Sequence, residues 1–173
     1  MYVTKTNTIL KKVAAYFAII SICVFITVLL SIYYLTSGKT KYSREYLLRK
    51  EYPNAVIGTE LIFDQNIAHG FLTENNEFGI AVFKQTEYKT FKLADHTVST
   101  DNDTLIIETT LDGREYYVFA IDNEKLQSAT LNFLFDNDTC AGYEDLRISG
   151  REMFVLIKPQ RAHEIIVTCK EKQ

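Results

Sequence analysis

The sequence predicts an all-β domain, either an antiparallel sandwich or a partly open barrel, preceded by one N-terminal transmembrane helix. Three observations predict it: an uncharged apolar run near the N-terminus, a two-residue hydrophobic periodicity from Ala55 onward, and turn residues at intervals of roughly 8–12 residues. In a chain of 173 residues this leaves room for one domain of ordinary size. The expected organisation is a basic cytoplasmic tail at 1–12, the helix at 13–35, a linker or short helix at 36–54 and an extracytoplasmic β domain at 55–173.

The apolar run extends from Val13 to Leu35 without a charged residue. At about 1.5 Å per residue it is long enough to cross a hydrocarbon core of about 30 Å. A cleaved signal peptide has a shorter apolar region of about 7–15 residues, so we expect this helix to be retained and the lipid bilayer to be the partner of residues 13–35. Ala14 and Ala18 form a small-x-x-x-small pair, which leaves a homodimer through the helix open.

Basic residues predict the orientation of the helix. Lys11 and Lys12 adjoin its N-terminal end, and the tail contains no acidic residue. Lysine and arginine also follow the helix, but long domains are translocated with little regard to their charge. We therefore expect a single-pass protein of the cell membrane with a cytoplasmic N-terminus and an extracytoplasmic C-terminal domain. The reversed orientation is the alternative.

The segment from Thr40 to Asn54 carries Tyr42, Tyr46 and Leu47 at helical spacing before Pro53. This spacing predicts a short juxtamembrane helix. A solvated stalk is the alternative, and the basic residues of the segment could also lie against anionic lipid headgroups.

Turn residues between strand-like runs predict hairpins in the remaining chain. The most specific is Asp112-Gly113, because a two-residue type I′ turn needs positive φ at both positions. Asn75-Asn76 predicts a second hairpin and Ser149-Gly150 a third. No helix of domain size is expected after Asn54. The strands are expected at 61–63, 70–72, 78–84, 105–107, 116–121, 129–133, 145–148, 153–158 and 163–168.

Composition excludes a nucleic-acid-binding surface and a zinc site of the common kinds. The net charge is −3 and no long run of lysine or arginine occurs. None of the three cysteines has the spacing of a zinc ligand. Cys140 and Cys169 could form a disulfide in an oxidising compartment. The alternative is that both are unpaired buried thiols, which behave as small hydrophobic groups.

No residue pattern predicts a catalytic residue, a cofactor or a metal. The three histidines are dispersed, and we expect His69, beside Gly70 in a turn, and His163, before the last strand, at the surface. The tetrapeptide Asp-Asn-Asp-Thr occurs at 101–104 and at 136–139. Neither copy continues as a calcium-binding loop, so both are predicted to be turns. We therefore expect a protein that is not an enzyme.

The stretch from Glu60 to Gln85, ELIFDQNIAHGFLTENNEFGIAVFKQ, follows the anchor as a strand and then a strand-turn-strand. In this layout the chain resembles a set of small uncharacterised single-pass membrane proteins of low-GC Gram-positive bacteria, which have a short basic N-terminus, one transmembrane helix and a compact β-rich domain. The resemblance implies a location in the cell envelope and implies no activity.

These observations predict a membrane-anchored noncatalytic β domain that binds a partner, expected to be a protein of the cell envelope. An exposed strand edge would be one physical route to such binding. The alternative is an anchored extracytoplasmic hydrolase whose site is assembled from distant residues and is not visible as a motif.

Overall fold

The computed structural model describes residues 3–99, 104–122, 126–134, 140–147, 151–159, 162 and 164–171. Within these residues the chain forms two helices and ten strands. Their bounds are α1 Val3–Thr36, α2 Lys41–Leu48, β1 Val56–Phe63, β2 Asn66–Leu72, β3 Phe78–Gln85, β4 Phe91–Ser99, β5 Thr104–Leu111, β6 Arg114–Asp122, β7 Leu126–Leu134, β8 Cys140–Arg147, β9 Arg151–Ile157 and β10 Glu164–Glu171.

The helix α1 is long and apolar enough to cross a membrane. Its apolar part, Val13–Thr36, agrees with the predicted span and is about 36 Å long at 1.5 Å per residue. None of this part is buried, whereas the core helix of a soluble protein would be mostly buried. Within it, the Thr27 hydroxyl donates to the Cys23 carbonyl one turn earlier at 2.8 Å, so this polar group is satisfied inside the helix. The helix begins at Val3, so most of the segment expected to be a tail is helical.

The short helix predicted between Thr40 and Asn54 is present as α2. A capping box starts it: Thr40 Oγ1 accepts from the Ser43 amide at 3.1 Å, and Ser43 Oγ accepts from the Thr40 amide at 3.0 Å. Ser43, Arg44 and Leu48 are buried. The solvated stalk is therefore wrong, because one face of α2 packs on the domain. Arg44 is for the same reason not a residue that lies against lipid headgroups.

The ten strands form three antiparallel sheets. Sheet A has the order β1-β2-β3-β4, sheet B has β5-β6-β9 and sheet C has β10-β7-β8. In the part of the chain that the structure describes, none of these sheets closes into a barrel. The all-β prediction is confirmed, and the stacked sheets favour the sandwich over the barrel.

Alternating side chains make sheet B the central layer. In β6, Tyr116 and Val118 pack in a buried cluster with residues of sheet A. Tyr117 and Phe119 point the other way and pack with residues of sheet C. Leu48 of α2 packs on the opposite face of sheet A. The layers therefore follow in the order α2, sheet A, sheet B and sheet C.

Two of the three predicted hairpins are confirmed. Asp112 and Gly113 have φ of +52° and +78°, as a type I′ turn requires, and β5 pairs with β6 on either side of them. Asn76 has φ of +61° in the turn that joins β2 to β3, which also pair. In both turns the sequence supplied residue types that tolerate positive φ.

The hairpin predicted around Ser149-Gly150 is wrong. β8 pairs with β7 in sheet C, whereas β9 pairs with β6 in sheet B. β9 carries apolar residues on both faces, with Val155 packed towards sheet A and Phe154 towards sheet C. Such a strand is best buried in the central layer, so the chain changes sheets at this point. The turn residues themselves lie outside the described residues.

The backbone register also separates Cys140 from Cys169. Cys140 lies opposite Leu134 on one side of β7, and Cys169 lies opposite Ala129 on the other side. From position 129 to 134 a strand advances by about 17 Å at 3.4 Å per residue. Disulfides join Cα atoms that are at most about 7 Å apart. A disulfide between these two cysteines is therefore incompatible with the register.

Candidate functional site

A buried polar network joins α2 to sheet A. The side chain of Arg44 is 5% exposed, and its Nη2 donates to Glu60 Oε2 at 2.5 Å. Its Nε donates to His69 Nε2 at 2.8 Å. Its Nη1 donates to the carbonyl oxygens of Gly38 and Lys39 at 3.1 and 3.2 Å. We refer to Arg44, Glu60 and His69 as the junction network.

The prediction of a surface His69 is wrong, because this residue lies in β2 and is completely buried. Both faces of β2 are covered, one by α2 and the other by sheet B. An arginine keeps all its hydrogens and can only donate, so His69 Nε2 must accept from Arg44. The hydrogen of the ring is then on Nδ1, which donates to the Thr59 carbonyl at 3.2 Å.

Burial lowers the pKa of His69 to about 4, and the cation of Arg44 acts in the same direction. The imidazole is therefore neutral at physiological pH. Its Nε2 lies 3.4 Å from Glu60 Oε2, but a neutral ring whose Nε2 already accepts forms no ion pair there. The partner of the Glu60 carboxylate is Arg44. With both ring nitrogens hydrogen-bonded and the side chain buried, His69 links α2 to sheet A.

The end of α1 is fixed to the first residue of β4. The Phe91 amide donates to the Ser37 carbonyl at 2.7 Å. Gly38 has φ of +66°, and a Cβ at this position would lie 2.3 Å from the Phe91 carbonyl oxygen. The guanidinium of Arg44 lies 5.9 Å from the centre of the Phe91 ring. Backbone and side-chain contacts together leave no free linker between α1 and the domain.

The other candidate site residues are the two remaining histidines and the two Asp-Asn-Asp-Thr segments, and the structure describes only some of them. His96 is half-buried, and its Nδ1 lies 2.9 Å from the Tyr52 hydroxyl. His69 and His96 flank Ala81 in the register, which sets their Cα atoms about 10 Å apart across two strand spacings. Within the described residues, no three His, Cys, Asp or Glu side chains meet at metal-binding distance. His163 and nearly all of the two Asp-Asn-Asp-Thr segments lie outside that part of the chain.

An open groove of about 630 Å³ lies at one end of sheets A and B. It is formed by the turn between β1 and β2 and by the Asp112-Gly113 hairpin. We call it the rim groove. Its lining residues are Asp64, Gln65, Asn66, Leu111, Asp112, Arg114 and Tyr116. A second depression of about 520 Å³ shares Gln65 and Asp112 with it and extends to the turn between β3 and β4.

The charged side chains of the rim groove are paired and partly exposed. The Tyr116 hydroxyl donates to Asp64 Oδ2 at 2.5 Å, and this hydrogen bond raises the pKa of Tyr116. Arg114 Nη1 lies 3.6 Å from the same oxygen. Lys84 Nζ lies 2.6 Å from Asp112 Oδ1. Both signs of charge are thus held in fixed positions on an accessible surface, which suits a polar partner that carries both signs.

No pattern in the sequence indicates this groove. The sequence predicts Asp112 only as a turn residue, and Asp64 follows the strand predicted at 61–63. Both have positive φ, +48° at Asp64 and +52° at Asp112, so the backbone conformation alone explains their residue type. The groove exists because two separate turns meet at the same end of two sheets.

Comparisons with known proteins assign no family to the chain. No protein-family model matches the chain, and neither the curated proteins nor the solved structures include a significant match. The resemblance to small membrane proteins of low-GC Gram-positive bacteria stays a prediction.

Proposed function

We propose that the chain is a membrane-anchored, noncatalytic binding module that α1 holds in the cell membrane. The observation that carries this proposal is the rim groove, an open polar surface on a domain that is joined without a free linker to an unburied apolar helix. A groove whose ionisable groups are already paired with each other supports recognition through complementary charge.

Residues 13–35 are the proposed transmembrane segment. A helix of this length whose apolar side chains have no protein partner would place a large apolar surface in water if it did not enter a bilayer. Its apolar part is longer than that of a cleaved signal peptide, which supports retention. Lys11 and Lys12 support a cytoplasmic N-terminus, with the β domain outside.

The proposed partner is a protein segment of the cell envelope that carries both acidic and basic side chains. Asp64 and Asp112 offer carboxylates, and Arg114 and Lys84 offer cations at the same rim. These groups are exposed enough to exchange part of their present pairing for a partner. The open shape of the groove admits an extended chain more readily than a small enclosed ligand.

A photoreactive amino acid at a groove position tests the proposal in intact cells. Gln65 and Asn75 are both exposed turn residues, and they flank opposite ends of β2. With the photoreactive group in place of Gln65 we expect one discrete cross-linked product, and with the group in place of Asn75 we expect none.

The variant Asp112→Asn shows whether that product depends on the groove. Asparagine tolerates the positive φ of position 112 and preserves the turn, so only the charge is lost. The yield of the product from position 65 should then decrease. Equal products from both positions, or no product from position 65, would overturn the proposal.

A further inference from the structure

The turn between β3 and β4, residues 86–90, presents one tyrosine to the exterior. Tyr88 at its tip is 82% exposed. The turn is closed by the Thr86 amide, which donates to the Thr90 carbonyl at 2.8 Å, and by the Lys89 amide, which donates to the Thr86 carbonyl at 3.0 Å. The hydroxyl oxygens of Thr86 and Thr90 are 2.6 Å apart. Tyr88 is therefore exposed on an ordered turn that holds its position.

This turn lies beside the end of α1. Phe91, whose amide donates to the Ser37 carbonyl, follows Tyr88 by three residues, so their Cα atoms are at most about 11 Å apart. The headgroup layer extends about 5–8 Å beyond each side of the hydrocarbon core. With α1 across the bilayer, the turn is within reach of that layer.

The side chains around this point have the chemistry of a membrane interface. Tyr33 and Tyr34 end the apolar part of α1, and the Lys39 ammonium lies 5.6 Å from the centre of the Tyr33 ring. Lys89 and Lys92, on the turn and at the start of β4, are exposed. Tyrosine side chains favour the headgroup region, and lysines near the surface are attracted by anionic lipids. Glu87 is the acidic residue within the turn.

We propose that the turn at residues 86–90 is a second membrane contact and that its partner is the anionic surface of a phospholipid bilayer. The inference depends on the proposed anchoring by α1. Two contacts, one through the helix and one through Tyr88 with its neighbouring lysines, would hold the β domain at a defined orientation. The depression that joins this turn to the rim groove would then open at the membrane surface, where a partner arrives.

Tryptophan fluorescence tests this contact cleanly because the chain contains no tryptophan. The full chain with Tyr88→Trp is reconstituted in vesicles of phosphatidylcholine with a minority of phosphatidylglycerol and a phospholipid that carries a nitroxide on its headgroup. We expect the nitroxide to quench the indole. The matched variant Leu72→Trp places an indole on an exposed site at the opposite end of β2, where we expect little quenching.

A third variant separates this inference from the proposed function. Tyr34→Trp reports on the end of α1 and should be quenched by lipids with brominated acyl chains. Quenching at position 34 with none at position 88 would overturn the second contact and leave the anchor intact. No quenching at position 34 would overturn the anchor itself.

Charge dependence identifies the lipid. Quenching at position 88 should be about twofold greater with phosphatidylglycerol than with phosphatidylcholine alone, because the lysines add attraction only to an anionic surface. Lys92→Glu in the Tyr88→Trp chain should remove this difference. Lys170→Glu makes the same change at an exposed position of β10, and it should leave the difference between the two lipid mixtures unchanged. Equal quenching in both lipid mixtures would overturn the assignment to anionic lipid.

Discussion

Arg44 Nε donates to His69 Nε2 at 2.8 Å, and this bond joins the helix after the apolar span to the second strand of sheet A. Both side chains are buried. The same guanidinium binds the carbonyls of Gly38 and Lys39, the residues that connect the two helices. The junction network therefore determines how the β domain is placed relative to α1.

Arg44→Met should lower the free energy of unfolding by about 2 kcal/mol or more, because it leaves His69 Nε2, two carbonyl groups and the Glu60 carboxylate without their donor. Glu60 is 38% exposed, and solvent screening reduces the cost of its lost partner. Denaturant unfolding of the full chain in micelles measures the change. The pKa of His69, followed by NMR, should rise in the variant because the Arg44 cation lowers it.

Arg49→Met is the matched control on the same helix. Arg49 is 43% exposed and pairs with Glu45 four residues earlier, a kind of contact that contributes about 0.3–0.5 kcal/mol. Its further bond to the Ala55 carbonyl adds a modest amount. Equal destabilisation by the two substitutions would contradict the special role of Arg44.

Stability should depend on pH through His69. Its pKa is about 4 in the folded chain and about 6.5 when unfolded, so the unfolded state binds the proton more readily. The neutral ring contributes in full to the free energy of unfolding above pH 6.5. This contribution is lost as the pH falls towards 4. It amounts to about 3 kcal/mol, because one unit of pKa difference corresponds to ~1.36 kcal/mol. His69→Gln removes this group, so the wild-type chain should lose more stability on acidification than the variant. Parallel pH profiles would contradict the assignment.

Gly38→Ala should disrupt the contact between the end of α1 and β4. The added Cβ would lie 2.3 Å from the Phe91 carbonyl oxygen, and φ at this position is +66°. We expect a loss of about 2 kcal/mol or more in the free energy of unfolding, from strain and steric overlap together. Gly113→Ala has a similar φ of +78° but meets no atom within 4 Å, so it should cost only about 1 kcal/mol. A loss at position 38 no greater than that at position 113 would show that the close approach to Phe91 is unimportant.

The parts of the fold that could be predicted are those that depend on local chemistry. The apolar span follows from composition, and the turns at Asp112-Gly113 and Asn75-Asn76 follow from residues that tolerate positive φ. β4 was not predicted, because its half-buried residues include Asp95 and His96 and its apolar pattern is correspondingly weak.

Burial and sheet membership could not be predicted, because both depend on contacts distant in sequence. The buried His69 accepts a hydrogen bond from Arg44 of α2, which lies 25 positions earlier. The residues around Ser149-Gly150 resemble a hairpin locally, but the strands on either side belong to different sheets. The rim groove combines segments whose residues, such as Asp64 and Tyr116, are 52 positions apart.

Thiol labelling of intact cells tests anchoring and sidedness most directly. Leu72→Cys places a thiol on an exposed site of the β domain, and Thr4→Cys places one before the apolar span. The unsubstituted chain, with its own three cysteines, gives the background. In the membrane fraction, a membrane-impermeant maleimide should label the Leu72→Cys chain before lysis and the Thr4→Cys chain only after lysis. Labelling of the Leu72→Cys chain only after lysis would contradict an extracytoplasmic domain, and its recovery in the soluble fraction would contradict the anchor.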